Sequence, residues 1–334
     1  MKLTNKKIPQ ICTPTDSYVR YYPKIVELAN QQFEKQFWTS SEMKVELDRM
    51  QLLYELTEEQ AYSVRKILNI FLRYELMVGD FWQVVAKTFP RPEVKLASSV
   101  VEAVERAVHA EFYNQINTVL GLDKEEDYLA YKDDPELLER VNWLNEVLEG
   151  EDKVLATCIF SMTETALLFS LFAELKSFQT NGYNLIPVTV RGTNQSAIDE
   201  DLHGQISAEI INTYYSELGT KLVNDEIRYP KIKEAVHKVR EHEHRIIDKT
   251  IIGDELNGVH KDQFKKYVDF RLNVYLERIG LPHEFTVVDC QIEDWFGKNT
   301  YAYKVVDFFT PGMGMEYESS WNEAGFTSAW TTKE

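Results

Sequence analysis

The chain has 334 residues, 44% of them hydrophobic, and a formal net charge of −17. That apolar content supports a sizeable core and excludes a disordered chain. The acidity is spread along solvated faces rather than gathered in a tail, and it speaks against direct nucleic-acid binding, which needs clustered Lys and Arg.

Cys12, Cys158 and Cys290 are far apart and odd in number, so neither a disulfide framework nor a paired-cysteine zinc site can be built from them. Reduced thiols and a cytoplasmic location are expected. The opening MKLTNKKIPQICTPTD lacks the apolar core of a secretion signal. The longest apolar run, Leu167 to Ala173, is too short to cross a bilayer, so no membrane contact is expected.

Proline placement predicts the fold class. None of the ten prolines lies between Lys24 and Phe89, Glu93 and Asp134, Glu136 and Ile186, or Lys231 and Leu281. A proline inside a helix costs about 3 kcal/mol, so these intervals can hold long helices. Apolar residues recur in them at helical spacing. One helix is predicted over Tyr54 to Ala86, with Thr57 and Gln60 as a capping box. Others are predicted near 95–121, 135–148, 153–178, 194–220, 229–252 and 259–280, with Tyr229-Pro230 suited to a helix start. Asn184 to Val190 reads as a short extended connection or hairpin. After Gly280 the chain turns rich in aromatics, Gly and Thr, and irregular structure ending in a flexible tail is predicted. The expected architecture is all-α: a helical domain over 1–285 and a C-terminal arm over 286–334.

Carboxylates and histidines on these helices point to metal chemistry. Residues three, four and seven apart share a helix face. Glu200 and His203 therefore stand side by side, and Glu102, Glu105 and His109 form a narrow stripe. Glu164 lies in the most apolar helix, and Glu75 also has mainly apolar neighbours. A buried unpaired carboxylate is costly and usually pairs or binds a metal. Four helices each offering a carboxylate, two with a histidine one turn away, make the layout of a two-metal site in a helical bundle. A second group, His237, Glu241 and His244, sits in charge-dense HKVREHEHRIIDK and reads as a solvated face, as do the isolated His260 and His283.

At these residues the sequence resembles the small, radical-generating subunit family of class I ribonucleotide reductases, over roughly residues 30 to 285. The segments that carry the likeness are QFWTSSEMKVELDRMQL, the helix with Glu75, HAEFY, MTETALLFSLFAEL (Met162-Thr163-Glu164-Thr165 onward), SAIDEDLHG and RLNVYLERIGL. The resemblance implies a ferritin-like bundle with additional helices. It implies two metal ions held by Glu75, Glu105, His109, Glu164, Glu200 and His203, bridged by Glu164, Glu200 and a neighbouring carboxylate. It makes Tyr113 the residue oxidised to a stable radical, with Phe112, Leu168 and Phe172 around it, and Trp38, Asp199 and His109 a hydrogen-bonded electron path. It further implies a homodimer and a large partner subunit that binds and reduces the ribonucleotide, in keeping with the lack of a Gly-rich phosphate loop here.

Three departures stand out. The first carboxylate is usually aspartate but here is Glu75, which leaves iron at both positions, manganese with iron, or manganese at both as alternatives. The family places a glutamate three residues before the first histidine, where this chain has Arg106; Glu105, four before, is the substitute. The tail differs from familiar members, with Tyr317 as the candidate redox tyrosine. Two rival readings use the same ligands: another ferritin-like dimetal oxidase or oxygenase acting on a small substrate, and a non-catalytic metal-binding bundle.

Overall fold

The computed structural model describes residues 8–302. Helix α1 (Pro23–Glu34) leads through short turns to α2 (Glu58–Thr88). Thr57 caps α2 by accepting from the Gln60 N–H, and the Gln60 side chain accepts from the Thr57 N–H, the predicted capping box. Helix α3 (Pro92–Val104) opens on a proline at its first position, passes through a π turn at Glu105–His109, and continues as α4 (Ala110–Leu120). Gly121 stops α4 at φ 69°, a conformation that glycine adopts without steric penalty. After the short α5 (Glu125–Leu129), α6 (Pro135–Glu149) is capped by Asp134 and α7 (Lys153–Met162) by Asp152. A second π turn, Thr163–Leu167, joins α7 to α8 (Leu168–Lys176). Helices α9 (Pro187–Leu218), α10 (Arg228–Thr250), α11 (Lys261–Arg278) and α12 (Gln291–Ala302) complete the chain order.

The core lies among α2, α3–α4, α7–α8 and α9. Helix α2 packs on α3, α4 and α7, while α9 packs on α7 and α8. Helix α1 covers α3 and α9 on one side, and α10 and α11 flank the bundle on another. The only strands among the described residues are β1 (Glu255–Leu256) and β2 (Val259–His260), an antiparallel hairpin. Its turn residues Asn257 and Gly258 have φ 52° and 75°, as a two-residue hairpin loop requires.

Three expectations are corrected. Of the Asn184–Val190 stretch only Asn184 to Ile186 precedes the helix, Ile186 itself being left-handed at φ 42°; Pro187 begins α9, seven residues before the predicted start. Its free amides are met from far away in sequence, because Asp48 accepts from Val188 N–H at 3.2 Å and Thr189 N–H at 2.6 Å. The region after Gly280 is not irregular throughout, since α12 forms and buries Ile292 and Phe296 against the bundle. Finally, Lys153–Gln179 is long and apolar enough to cross a membrane by length and composition. Of its most apolar stretch, 89% is buried inside the protein, so neighbouring helices provide the apolar surroundings. Residues 303–334, and with them Tyr317, lie outside the described part.

Candidate metal centre

Six side chains from four helical segments meet at the middle of the bundle. Glu75 comes from α2, Glu105 and His109 from the π turn between α3 and α4, Glu164 from the π turn after α7, and Glu200 and His203 from α9. All six are fully buried. Potential ligand atoms of Glu75, Glu105, His109 and Glu200 lie within 4.8 Å of one another, and so do those of Glu105, Glu164, Glu200 and His203. The two groups share Glu105 and Glu200. Glu164 belongs to the His203 group.

Each histidine turns Nδ1 inward. His109 Nδ1 is 3.1 Å from Glu200, 3.2 Å from Glu105 and 3.5 Å from Glu75. His203 Nδ1 is 2.7 Å from Glu105, 3.5 Å from Glu164 and 3.8 Å from Glu200. Yet His203 Nδ1, both oxygens of Glu75 and Glu200, and one oxygen each of Glu105 and Glu164 make no hydrogen bond. His109 Nδ1 and Glu105 Oε2 form one hydrogen bond, at 3.2 Å; for the other atoms, short separations without hydrogen-bond geometry mean that they converge on common points rather than on one another. Buried donors left this way fit two cations, which would neutralise four carboxylates and accept two imidazoles.

The electrostatics agree. Burial, and next Glu105, push Glu75 well above the ordinary carboxylate range; burial and Glu200 do the same to Glu164. For Glu105 burial acts in the same direction, but His109 and His203 outweigh it and hold the carboxyl below its usual range. Burial opposes charge on both histidines, yet the surrounding carboxylates, Glu105 foremost, hold both well above the usual imidazole value. Positive charge is what this cavity demands.

The outer nitrogens are also occupied. His109 Nε2 lies 3.1 Å from Asp199 Oδ2, and the same oxygen accepts from Trp38 Nε1 at 2.7 Å. His203 Nε2 lies 3.2 Å from Gln32 Oε1, while Gln32 Nε2 donates to Asp199 Oδ1 at 2.9 Å. Such outer partners fix the tautomer and orientation of a metal-binding imidazole. Trp82 Nε1 donates to Glu164 Oε1 at 2.5 Å. Gln32 and Trp82 were not singled out from sequence. Trp82 stands two turns after Glu75 on α2, so helical spacing could have found it; Gln32 has no comparable signal.

Tyr113 is fully buried and its hydroxyl makes no hydrogen bond. Its ring stacks on Phe71 at 4.4 Å and lies 4.9 Å from Phe112, with Phe172 stacked behind Phe71 at 5.2 Å. Burial, then the charge of Glu75, push its phenol well above the usual value. Arg106 is not at the centre: it points outward to Asp80 and Glu102. The second histidine group does not converge either. His237 faces Glu284 and His244 faces Asp269, while His260 caps α11 and His283 is exposed.

Residues 18–291 match the profile of the family described as ribonucleotide reductase, small chain. The chain belongs to that family. Among curated relatives of the family, the ribonucleoside-diphosphate reductase small chain of Ostreid herpesvirus 1 (isolate France) is 25% identical over 258 residues. That match takes in 74% of this chain but 42% of the relative, so the chain spans less than half of the relative's length. The ribonucleotide reductase R2 subunit from Clostridium botulinum aligns with a TM-score of 0.72 at 17% identity, covering 84% of this chain and 88% of that one. The dimanganese(II)-NrdF of Streptococcus sanguinis gives 0.72 at 16% identity, covering 86% and 99%. These two establish the shared ferritin-like helical fold.

Proposed function

We propose that this chain is the small subunit of a ribonucleoside-diphosphate reductase, generating and storing a radical at Tyr113 that a large subunit uses to make deoxyribonucleotides. The observation that carries the reading is the unbroken link from Trp38 through Asp199 to His109 and the carboxylate cluster, with Tyr113 caged beside it. Neither a simple storage bundle nor a stand-alone oxidase requires both features.

Glu75, Glu105, His109, Glu164, Glu200 and His203 would hold the two ions. Iron at both positions is the first assignment, with manganese–iron and manganese–manganese as alternatives, since carboxylate and imidazole serve either metal. The Streptococcus sanguinis relative is a dimanganese(II) protein. When bound and activated by oxygen, the pair supplies one-electron oxidising power. Tyr113 gives up one electron and its hydroxyl proton; Phe71, Phe112 and Phe172 then shield the ring from water and from hydrogen donors. Asp199 Oδ2 holds the Trp38 indole and the His109 imidazole in one hydrogen-bonded line, so that an electron can leave in the direction of the surface. The ribonucleotide itself binds to the partner large subunit. A homodimer, a cytoplasmic location, and no direct nucleic-acid or membrane partner complete the assignment. Residues 1–285 form the metal-binding domain in this reading, and 286–334, including Tyr317, the arm that contacts the large subunit.

The test is an EPR spectrum after anaerobic loading with ferrous iron and exposure to oxygen, repeated with manganese–iron loading. A long-lived tyrosyl signal that is lost in Tyr113→Phe is the expected result. No radical under either loading, or after loading with manganese alone, with two ions bound, would overturn the proposal.

A further inference from the structure

The helix from Pro92 to Leu120 widens at Glu105–His109, immediately at two of the cluster residues. A π turn accommodates one extra residue, and such turns recur at functional sites. Its consequence falls on residue 106. In an uninterrupted α-helix, residue 106 stands one turn before His109 and shares its face. A guanidinium there would neutralise the carboxylates in place of an ion.

The structure instead draws Arg106 outward. Its Nη2 lies 2.7 Å from Asp80 Oδ1 on α2, and its Nε lies 3.1 Å from Glu102 Oε1, one turn back on α3. Gln83 of α2 donates to the same Glu102 oxygen at 2.7 Å, which orders that carboxylate. Gly79 makes the berth: a Cβ at that position would lie 2.9 Å from both Cζ and Nε of Arg106. Gly79 also stands one turn after Glu75. The clamp therefore joins the helix of Glu105 to the helix of Glu75, and these supply two of the three carboxylates around His109.

We propose that Arg106 is a positioning residue whose guanidinium, seated over Gly79 between Asp80 and Glu102, holds the π turn that presents Glu105 rather than residue 106 to the two ions. The inference rests on the two-ion reading above. Partly exposed ion pairs are individually weak. Here they act on a choice between two registers of one helix, and a small bias decides between them.

Anaerobic titration of the full chain with Mn(II), followed by EPR of the free ion, tests this without any activity assay. The parent is expected to bind two ions. Asp80→Asn with Glu102→Gln frees Arg106 and is expected to weaken binding by about tenfold or more, as loss of outer support commonly does. Deleting Arg106 in that background removes the extra residue and leaves Glu105 three before His109; binding is expected to return to within about threefold of the parent. A clamp that only stabilised the fold would not allow this rescue. Should the deletion fail to fold, Gly79→Val, which crowds Arg106 from below, is expected to weaken Mn(II) binding at an unchanged unfolding temperature. Parent-like affinity in the double variant or in Gly79→Val overturns the inference alone, as does a folded deletion variant without rescue. A parent that binds no Mn(II) overturns the two-ion reading and this inference with it.

Discussion

Trp38 and Asp199 lie 161 positions apart in the chain and meet through one hydrogen bond of 2.7 Å, Nε1 to Oδ2, both side chains being buried. The accepting oxygen is the one that faces His109, so the indole and the imidazole are held by a single atom. Trp38→Phe keeps an aromatic ring, though a smaller one, and removes the donor. The ions are then expected to bind in the normal number and the Tyr113 radical to form. Deoxyribonucleotide formation with the large subunit is expected to fall by roughly 10- to 100-fold. Normal turnover in that variant would remove Trp38 from the electron path.

Gln32 makes a second, unforeseen link. Its amide nitrogen serves Asp199 and its oxygen faces His203, so one side chain orients the outer partners of both histidines. Gln32→Leu is close in volume and deletes both contacts. Weaker binding of two ions, by about 10- to 100-fold, is expected from the loss of outer hydrogen bonds. Measured stoichiometry and affinity for Mn(II) decide the matter; unchanged affinity would make Gln32 a packing residue only.

How much of this was legible in the sequence depends on the range of the physics involved. Glu75, Glu164, Glu200 and His203 could be placed because each sits among apolar residues at helical spacing, a local signal. Glu105 was read as the substitute for residue 106, but spacings of three and four share a face equally, so periodicity could not reveal the π turn that makes the substitution work. The start of α9 has no local signal, because the carboxylate that takes its first amides is Asp48, about 140 positions away in sequence. The Asn257-Gly258 hairpin is the opposite case, since its turn signal is local. Helix α12 looked irregular because its aromatics suggested a tail, whereas Phe296 packs on Phe169 and Tyr267 and lies beneath Lys176.

Asp48 offers a stability test away from the metal centre. It takes the Val188 and Thr189 amides at the start of α9, where Ile186 adopts φ 42° and provides no side-chain cap. Asp48→Ala leaves these amides without a partner and is expected to cost about 1–2 kcal/mol. Urea unfolding of the metal-free protein would show this as a lower midpoint at constant slope. No shift would mean that water replaces the carboxylate without loss.

The pairing of α10 with α11 should depend on pH. Asp269 accepts from Arg240 through both oxygens, at 2.6 and 2.9 Å, and lies 3.3 Å from His244. Burial works against charge on Asp269, but His244 and Arg240 outweigh it and hold the carboxyl below its ordinary range. A carboxylate lowered on folding stabilises the protein above its unfolded value, near 3.9, and that contribution fades as pH falls through the folded value. With Arg240 partly exposed, about 1 kcal/mol is a fair magnitude. Asp269→Asn should therefore melt lower than the parent at pH 7, and the gap should narrow as the pH drops below about 4. A gap that persisted undiminished in acid would assign the effect to shape rather than charge.

Gly192 permits the approach of α9 to the ring beside Tyr113. A Cβ there would lie 2.2 Å from Phe112 Cζ and 2.3 Å from Cε2, contacts that no real side chain makes. Phe112 cannot withdraw easily, since its ring is fully buried between Trp38, at 5.7 Å, and Tyr113, at 4.9 Å. Gly192→Ala is expected to destabilise the protein by about 1–3 kcal/mol through overpacking, despite alanine's better helix propensity. The cause can be isolated by a double-mutant cycle with Phe112→Leu, which shortens the offending side chain. If the clash is the cause, the two changes together cost less than the sum of their separate effects. Strict additivity would place the penalty elsewhere on α9 and would free Phe112 from the role of fixing the spacing between that helix and the tyrosine.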